Sequence, residues 1–278
     1  MPGHASLSGI RHVALDMDGT LYRGNTLFEV TRPFLERLHS LGIGCTFLTN
    51  NPSKSVTDYL AHLERLGINA DRSQIHTSTQ ATIEYLCAQW PAVQRLFVLG
   101  TPSMANELAA AGFELLPDDP QAVPDAVLVG FDMTLTYPRL CRAAWWIAQG
   151  RPWFATNPDR VCPTDQPTVL VDCGSICAAL ATATGSSPLA VMGKPDPNML
   201  EGILRRHKLA PHQLAMVGDR LYTDIEMARR AGALGVLVLT GETTPRDAAV
   251  ASPAPDLVVQ DVGELGSLLE EAHARHQG

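Results

Sequence analysis

Asp16 and Asp18 follow the apolar run Val13-Ala14-Leu15 and precede Gly19-Thr20. In an open α/β sheet, ligands gather at the carboxyl ends of the strands, where loops leave the core. Two carboxylates at such a place can divide a phosphoryl transfer between them. One would attack phosphorus, and the other would protonate the leaving oxygen and then deprotonate water. A carboxylate approaches a phosphate dianion against like charge, so this chemistry needs a divalent cation and a placed ammonium. Turn chemistry alone accounts for part of the pattern, because Asp and Gly are common after strands.

Three other stretches carry groups of the required kinds. Leu48-Thr49-Asn50-Asn51 ends an apolar run, and a hydroxyl with neighbouring backbone N–H groups can hold phosphate oxygens without adding negative charge. The same residues would serve equally as a helix cap. Gly193-Lys194-Pro195 sets a lysine in a restricted backbone, suited to a fixed ammonium, although a solvated loop lysine fits as well. No G-x-x-x-x-G-K-[ST] phosphate loop is present around it. Val217-Gly218-Asp219 closes another apolar run, and Asp224 follows five residues later. These two supply hard oxygen donors of the kind magnesium prefers. Asp224 also suits a helix N-terminus.

The elements that must position these residues alternate along the chain. Strands are expected at His12–Asp16, Cys45–Thr49, Leu96–Leu99, Ala126–Gly130, Trp153–Ala155, Leu214–Val217, Gly235–Leu239 and Leu257–Val259. Apolar spacing predicts helices at Val30–Leu41, Ser55–Leu66, Ser103–Ala111, Arg139–Gln149, Thr223–Ala231 and Val262–Ala272. This rhythm indicates an α/β fold with a parallel sheet covered by helices on both faces. Pro117–Pro124 and Gly185–Pro188 read as loops.

Bulk properties exclude several classes. A net charge of −8, with no basic run, argues against nucleic-acid binding. No apolar stretch reaches the length of a membrane span, and Met1 to Arg11 lacks a signal-peptide pattern, so a cytoplasmic location is expected. The six cysteines form no C-x-x-C pair; Cys173 and Cys177, four apart, read as buried hydrophobes on one helical face.

Taken together, the four motifs resemble those of the haloacid dehalogenase (HAD) superfamily: Asp16-Met17-Asp18-Gly19-Thr20, Thr49, Lys194, and Gly218-Asp219 with Asp224. Asp18 makes the chain similar to that superfamily's phosphatases. The long interval between the second and third motifs resembles the type IIA capped branch, which includes nitrophenyl-, phosphoglycolate- and pyridoxal-phosphatase-like enzymes. The resemblance implies a doubly wound parallel-sheet core over residues 1–82 and 190–278, with an α/β cap inserted at 83–189.

By the same resemblance, Asp16 is the nucleophile that forms an aspartyl-phosphate, and Asp18 is the acid and base. Thr49 and the Asn50 backbone bind the phosphoryl oxygens, and Lys194 ties Asp16 to the phosphate. Mg2+ would be held by the Asp16 carboxylate, the Asp18 carbonyl and Asp219, with Asp224 holding its water. Thr20 is expected to orient Asp18. Asp132, Asn157 and Asp159 are the cap residues that would touch substrate, a small phosphorylated metabolite; ordinary turn chemistry explains them as readily. Trp145 and Trp146 are expected in core packing or at a dimer face, and homodimers through the cap are implied. Two other activities compete: phosphotransfer on a sugar phosphate, and a non-catalytic binding module on the same fold.

Overall fold

The computed structural model describes residues 7–162 and 167–276; the first residues of the N-terminal stretch considered for a leader lie outside them. Two compact units are present. One comprises Met1–Leu48, Leu60–His76 and Pro195–Gly278, the other Thr49–Tyr59 and Thr77–Lys194.

The first unit is built on a six-stranded sheet. Its order is Leu257–Val259, Leu234–Val238, Leu214–Gly218, His12–Asp16, Gly44–Thr49 and Ile75–Thr77. The His12–Asp16 strand runs parallel to both neighbours, pairing Leu15 with Val217 on one side and Asp16 with Leu48 on the other. All five of its residues are buried, which explains an unbroken apolar run where a half-exposed strand would alternate. Because the neighbours are parallel, Asp16 and the residues after Val217 emerge at the same edge. Helices Thr31–Ser40 and Val262–His276 belong to this unit, and the first buries Phe34 and Leu38 as its spacing requires.

The second unit has a five-stranded parallel sheet in the order Ala190–Val191, Trp153–Ala155, Ala126–Val129, Arg95–Leu99 and Glu114–Leu115. Helices Tyr137–Ala148 and Cys173–Thr184 pack into one apolar cluster with Val127, Val129 and Trp153. Trp146 is buried there, whereas Trp145 is 40% exposed, with the Arg142 guanidinium 5.3 Å from its ring centre. Cys173 and Cys177 lie buried on one helical face with their sulfurs 3.9 Å apart.

One expected helix differs. Over Thr223–Ala231 the chain forms a wide π-type turn, Leu221–Ile225, and only then the helix Glu226–Ala231. Asp224 Oδ2 accepts the Arg220 N–H at 3.1 Å, which bends this turn back over the strand end. Such widened turns recur at functional sites. The helix Ser78–Gln89 was not evident in the spacing. Its buried face is made of Ser78, Thr79, Ala81 and Thr82 with a single leucine, Leu86, so it carries little apolar periodicity.

Candidate active site

The carboxylates of Asp16, Asp219 and Asp224 converge at the carboxyl edge of the six-stranded sheet. All three are buried, and one ligand atom from each lies within 4.8 Å of the others. Glycines make room for this. A Cβ on Gly218 would overlap the Asp224 carboxyl, and one on Gly241 would overlap that of Asp219. At Gly19, which has φ +89°, a Cβ would stand 2.7 Å from Asp219 Oδ2.

At 4.8 Å and an effective dielectric near 20, two full negative charges repel by about 3 kcal/mol. Three such carboxylates with their ligand atoms so close could hold a cation. The donor set is all carboxylate oxygen and buried, which fits a small hard divalent ion such as Mg2+.

Asp18 has its carboxylate outside this cluster. Its side chain reaches the surface and accepts the Gly24 N–H at 3.4 Å. The protein packed around it still removes enough water to raise its pKa, and the Asp16 charge adds to that. Gly24, Arg220 and Arg23 pull the other way. A carboxyl whose pKa is raised in this manner suits a proton donor. Thr20 differs from expectation: its hydroxyl donates to Asp16 Oδ2 at 3.3 Å, because the turn after Asp16 places the Thr20 side chain four residues back along the chain.

Arg220 was not singled out by its sequence context. Burial lowers its pKa, but Tyr222, Asp219, Glu242 and Asp16 together hold it above the ordinary arginine value. It therefore remains a cation beside the carboxylates, ion-paired to Glu242 at 2.9 Å. The one available signal was its place directly after Asp219.

In the second unit, Asn50 grips the backbone of Lys194. Asn50 Oδ1 accepts the Lys194 N–H at 2.6 Å, and Asn50 Nδ2 donates to the Lys194 carbonyl at 3.0 Å. Lys194 is buried, contrary to a solvated loop lysine. Gly193, at φ +80°, would bring a Cβ to 2.8 Å from Asn50 Oδ1, so the close approach depends on glycine. Thr49 Oγ1 accepts the Asn51 N–H at 3.1 Å and lies 3.4 Å from the Tyr59 hydroxyl.

The three residues watched for substrate contact have protein partners. Asp132 pairs with Arg139 at 2.9 Å and accepts the N–H and hydroxyl of Thr134. Asp159 accepts from Asn50 at 3.1 Å and from Asn157 at 3.3 Å. Asn157 also donates to Asp172 at 3.2 Å. Asn157 and Asp159 thus sit around the residue that holds Lys194, a link that no local spacing reveals.

The family model of haloacid dehalogenase-like hydrolases matches residues 13–114, and a second HAD-like model matches 191–265. D-glycerol 3-phosphate phosphatase of Mycobacterium tuberculosis is 36% identical over 90% of this chain and 69% of its own length. The chain belongs to the haloacid dehalogenase-like hydrolases. Among solved structures, 4-nitrophenylphosphatase of Thermotoga maritima superposes with a TM-score of 0.89 at 38% identity, covering 95% of this chain and 99% of that one. Glycerol phosphate phosphatase of M. tuberculosis, solved in complex with magnesium, has a TM-score of 0.85 at 34% identity, covering 96% and 78%. Within that family this chain is a phosphatase.

Proposed function

We propose that this chain hydrolyses small phosphate monoesters with Mg2+, through a phosphoryl group carried on Asp16. The carrying observation is the buried trio Asp16, Asp219 and Asp224 at one sheet edge, with a second carboxyl of raised pKa two residues beyond the first. Asp16, Asp219 and Asp224, with the Asp18 carbonyl, would hold the ion. When bound, Mg2+ offsets the negative charge that otherwise opposes attack on a phosphate.

The residues then divide the work. A carboxylate oxygen of Asp16 bonds to phosphorus as the bond to the ester oxygen breaks, and Asp18 gives its proton to that departing oxygen. In the second step Asp18 takes a proton from water, the water oxygen bonds to phosphorus, and the acyl phosphate opens to return the Asp16 carboxylate and inorganic phosphate. Phosphoryl transfer depends on placement and charge balance, which is why buried carboxylates and fixed donors suffice. Thr49, the Asn50 N–H and Lys194 are assigned to the phosphoryl oxygens by the family's motif pattern. The same pattern supports residues 1–82 and 190–278 as core and 83–189 as a cap that selects the substrate. It also supports a homodimer formed through the cap. Among the described residues no helix is long and apolar enough to cross a membrane.

Release of phosphate from p-nitrophenyl phosphate should require added Mg2+ and vanish with a chelator. Metal-independent turnover would sink the mechanism. Absence of hydrolysis across a broad panel of esters would favour the binding-module reading, and transfer to a sugar hydroxyl in place of water would favour the mutase.

A further inference from the structure

The Thr240–Thr243 loop, which follows the Leu234–Val238 strand, touches both carboxylate-bearing loops of the first unit. Thr240 Oγ1 donates to the Gly19 carbonyl at 2.6 Å, and Arg23 donates to the Thr240 carbonyl at 2.7 Å. Glu242 N–H donates to Asp219 Oδ2 at 2.6 Å, and Thr243 N–H donates to the Asp219 carbonyl at 3.2 Å. Gly241 lacks the Cβ that would strike the Asp219 carboxyl. The Glu242 side chain is itself anchored, by Arg220 at 2.9 Å and by the Tyr222 hydroxyl at 3.0 and 3.3 Å.

We propose that Glu242 is a positioning residue: its anchored side chain fixes the backbone N–H that aims Asp219 at the metal. This deepens the metal-site reading above and rests on it. The magnitudes favour the role. The Glu242 side chain is 49% exposed, and an ion pair so exposed adds at most about 1 kcal/mol to folding. A partner that orients a metal ligand, in contrast, is commonly worth about 10- to 100-fold in metal affinity. A carboxylate with one oxygen held by a short N–H bond also presents the other in a fixed direction, which a small ion of strict geometry demands.

The test is titration calorimetry of the full chain with magnesium chloride, alongside melting of the metal-free protein. Glu242→Ala should weaken Mg2+ binding about tenfold while metal-free melting stays near that of wild type. The Mg2+ concentration giving half-maximal activity should rise in step, with kcat at saturating Mg2+ little changed. Glu242→Gln keeps an acceptor for Tyr222 and should fall between Ala and wild type; it also decides the matter if the Ala variant does not fold. Arg220→Met should weaken binding as well, since it releases the anchor. Tighter binding there would mean that the pair acts only through its charge, and would overturn the proposal. Asp219→Asn separates the two levels of inference. If wild type binds no Mg2+, or Asp219→Asn binds as wild type does, the metal site itself falls. If Asp219→Asn loses binding while both Glu242 variants stay within twofold of wild type, only the positioning role falls.

Discussion

Within the first unit, the carboxylates at one end of the sheet and the histidines around Arg206 solve the same problem differently. Asp16, Asp219 and Asp224 are buried with their ligand atoms within 4.8 Å of one another. His12 begins the strand that Asp16 ends; its Nε2 lies 2.9 Å from Thr46 Oγ1, and its ring stacks on His207 at 4.3 Å. His76 is fully enclosed, and neither ring nitrogen has a hydrogen-bond partner among the described residues. Burial, reinforced by the nearby Arg206 charge, lowers the pKa of both His12 and His76 to about 4, with His207 adding to the shift of His12. The histidines therefore shed their charge and become packing groups. The carboxylates converge as a cluster of oxygen donors that suits a bound cation. Burial of a titratable group marks a reactive site where the charge must stay, and a core where it can leave.

The largest effect that tests this contrast is at Asp16. Asp16→Asn should lower kcat on the order of 10⁴-fold or more, as losses of nucleophiles do, while the fold is retained because one of three like charges is gone. Undiminished turnover would break the assignment of that end of the sheet.

Acid titration probes the other end. With folded pKa values near 4 against about 6.5 unfolded, the unfolded chain binds more protons between these limits. Stability from His12 and His76 is thus complete above pH 6.5 and is lost as pH falls toward 4, by up to roughly 3 kcal/mol per ring. In urea unfolding with chelator present, His76→Phe should lose roughly 2 kcal/mol less than wild type between pH 7 and pH 4.5. Parallel pH curves would show that His76 is not the neutral core group described here.

Metal addition should act only on the carboxylate end. Mg2+ at one hundred times its Kd should stabilise the protein by about 2.7 kcal/mol, seen as a raised Tm, and Asp219→Asn should abolish the rise. The smallest effect expected is at Thr20. Thr20→Val removes one hydrogen bond to Asp16 and should cost about 1 kcal/mol, several-fold in kcat, with Mg2+ affinity nearly unchanged. An unaltered kcat would leave Thr20 a turn residue.

Much of this was legible in the residues themselves. The strands His12–Asp16 and Trp153–Ala155 fall where the apolar runs place them, because strands buried on both faces need uninterrupted apolar residues. The helix Ser78–Gln89 was not legible, since small hydroxyl and alanine side chains bury without an apolar stripe. Asp16, Asp219 and Asp224 could be nominated because each belongs to a recognisable strand-end pattern. Their convergence depends on which strands become neighbours, and nothing in a linear chain states that Leu15 lies beside Val217.

The sequence by itself determined the alternating α/β order, the strand-end carboxylates, and the glycines that let the chain pass close to them. These are local matters of period and backbone freedom. Tertiary structure alone decided the rest: that Thr20 serves Asp16, that Arg220 and Glu242 pair beside Asp219, and that Asn50 grips Lys194 across 144 residues. Hydrogen bonds and charge pairs act over a few ångströms of space and are indifferent to distance along the chain, so only the folded backbone could specify them.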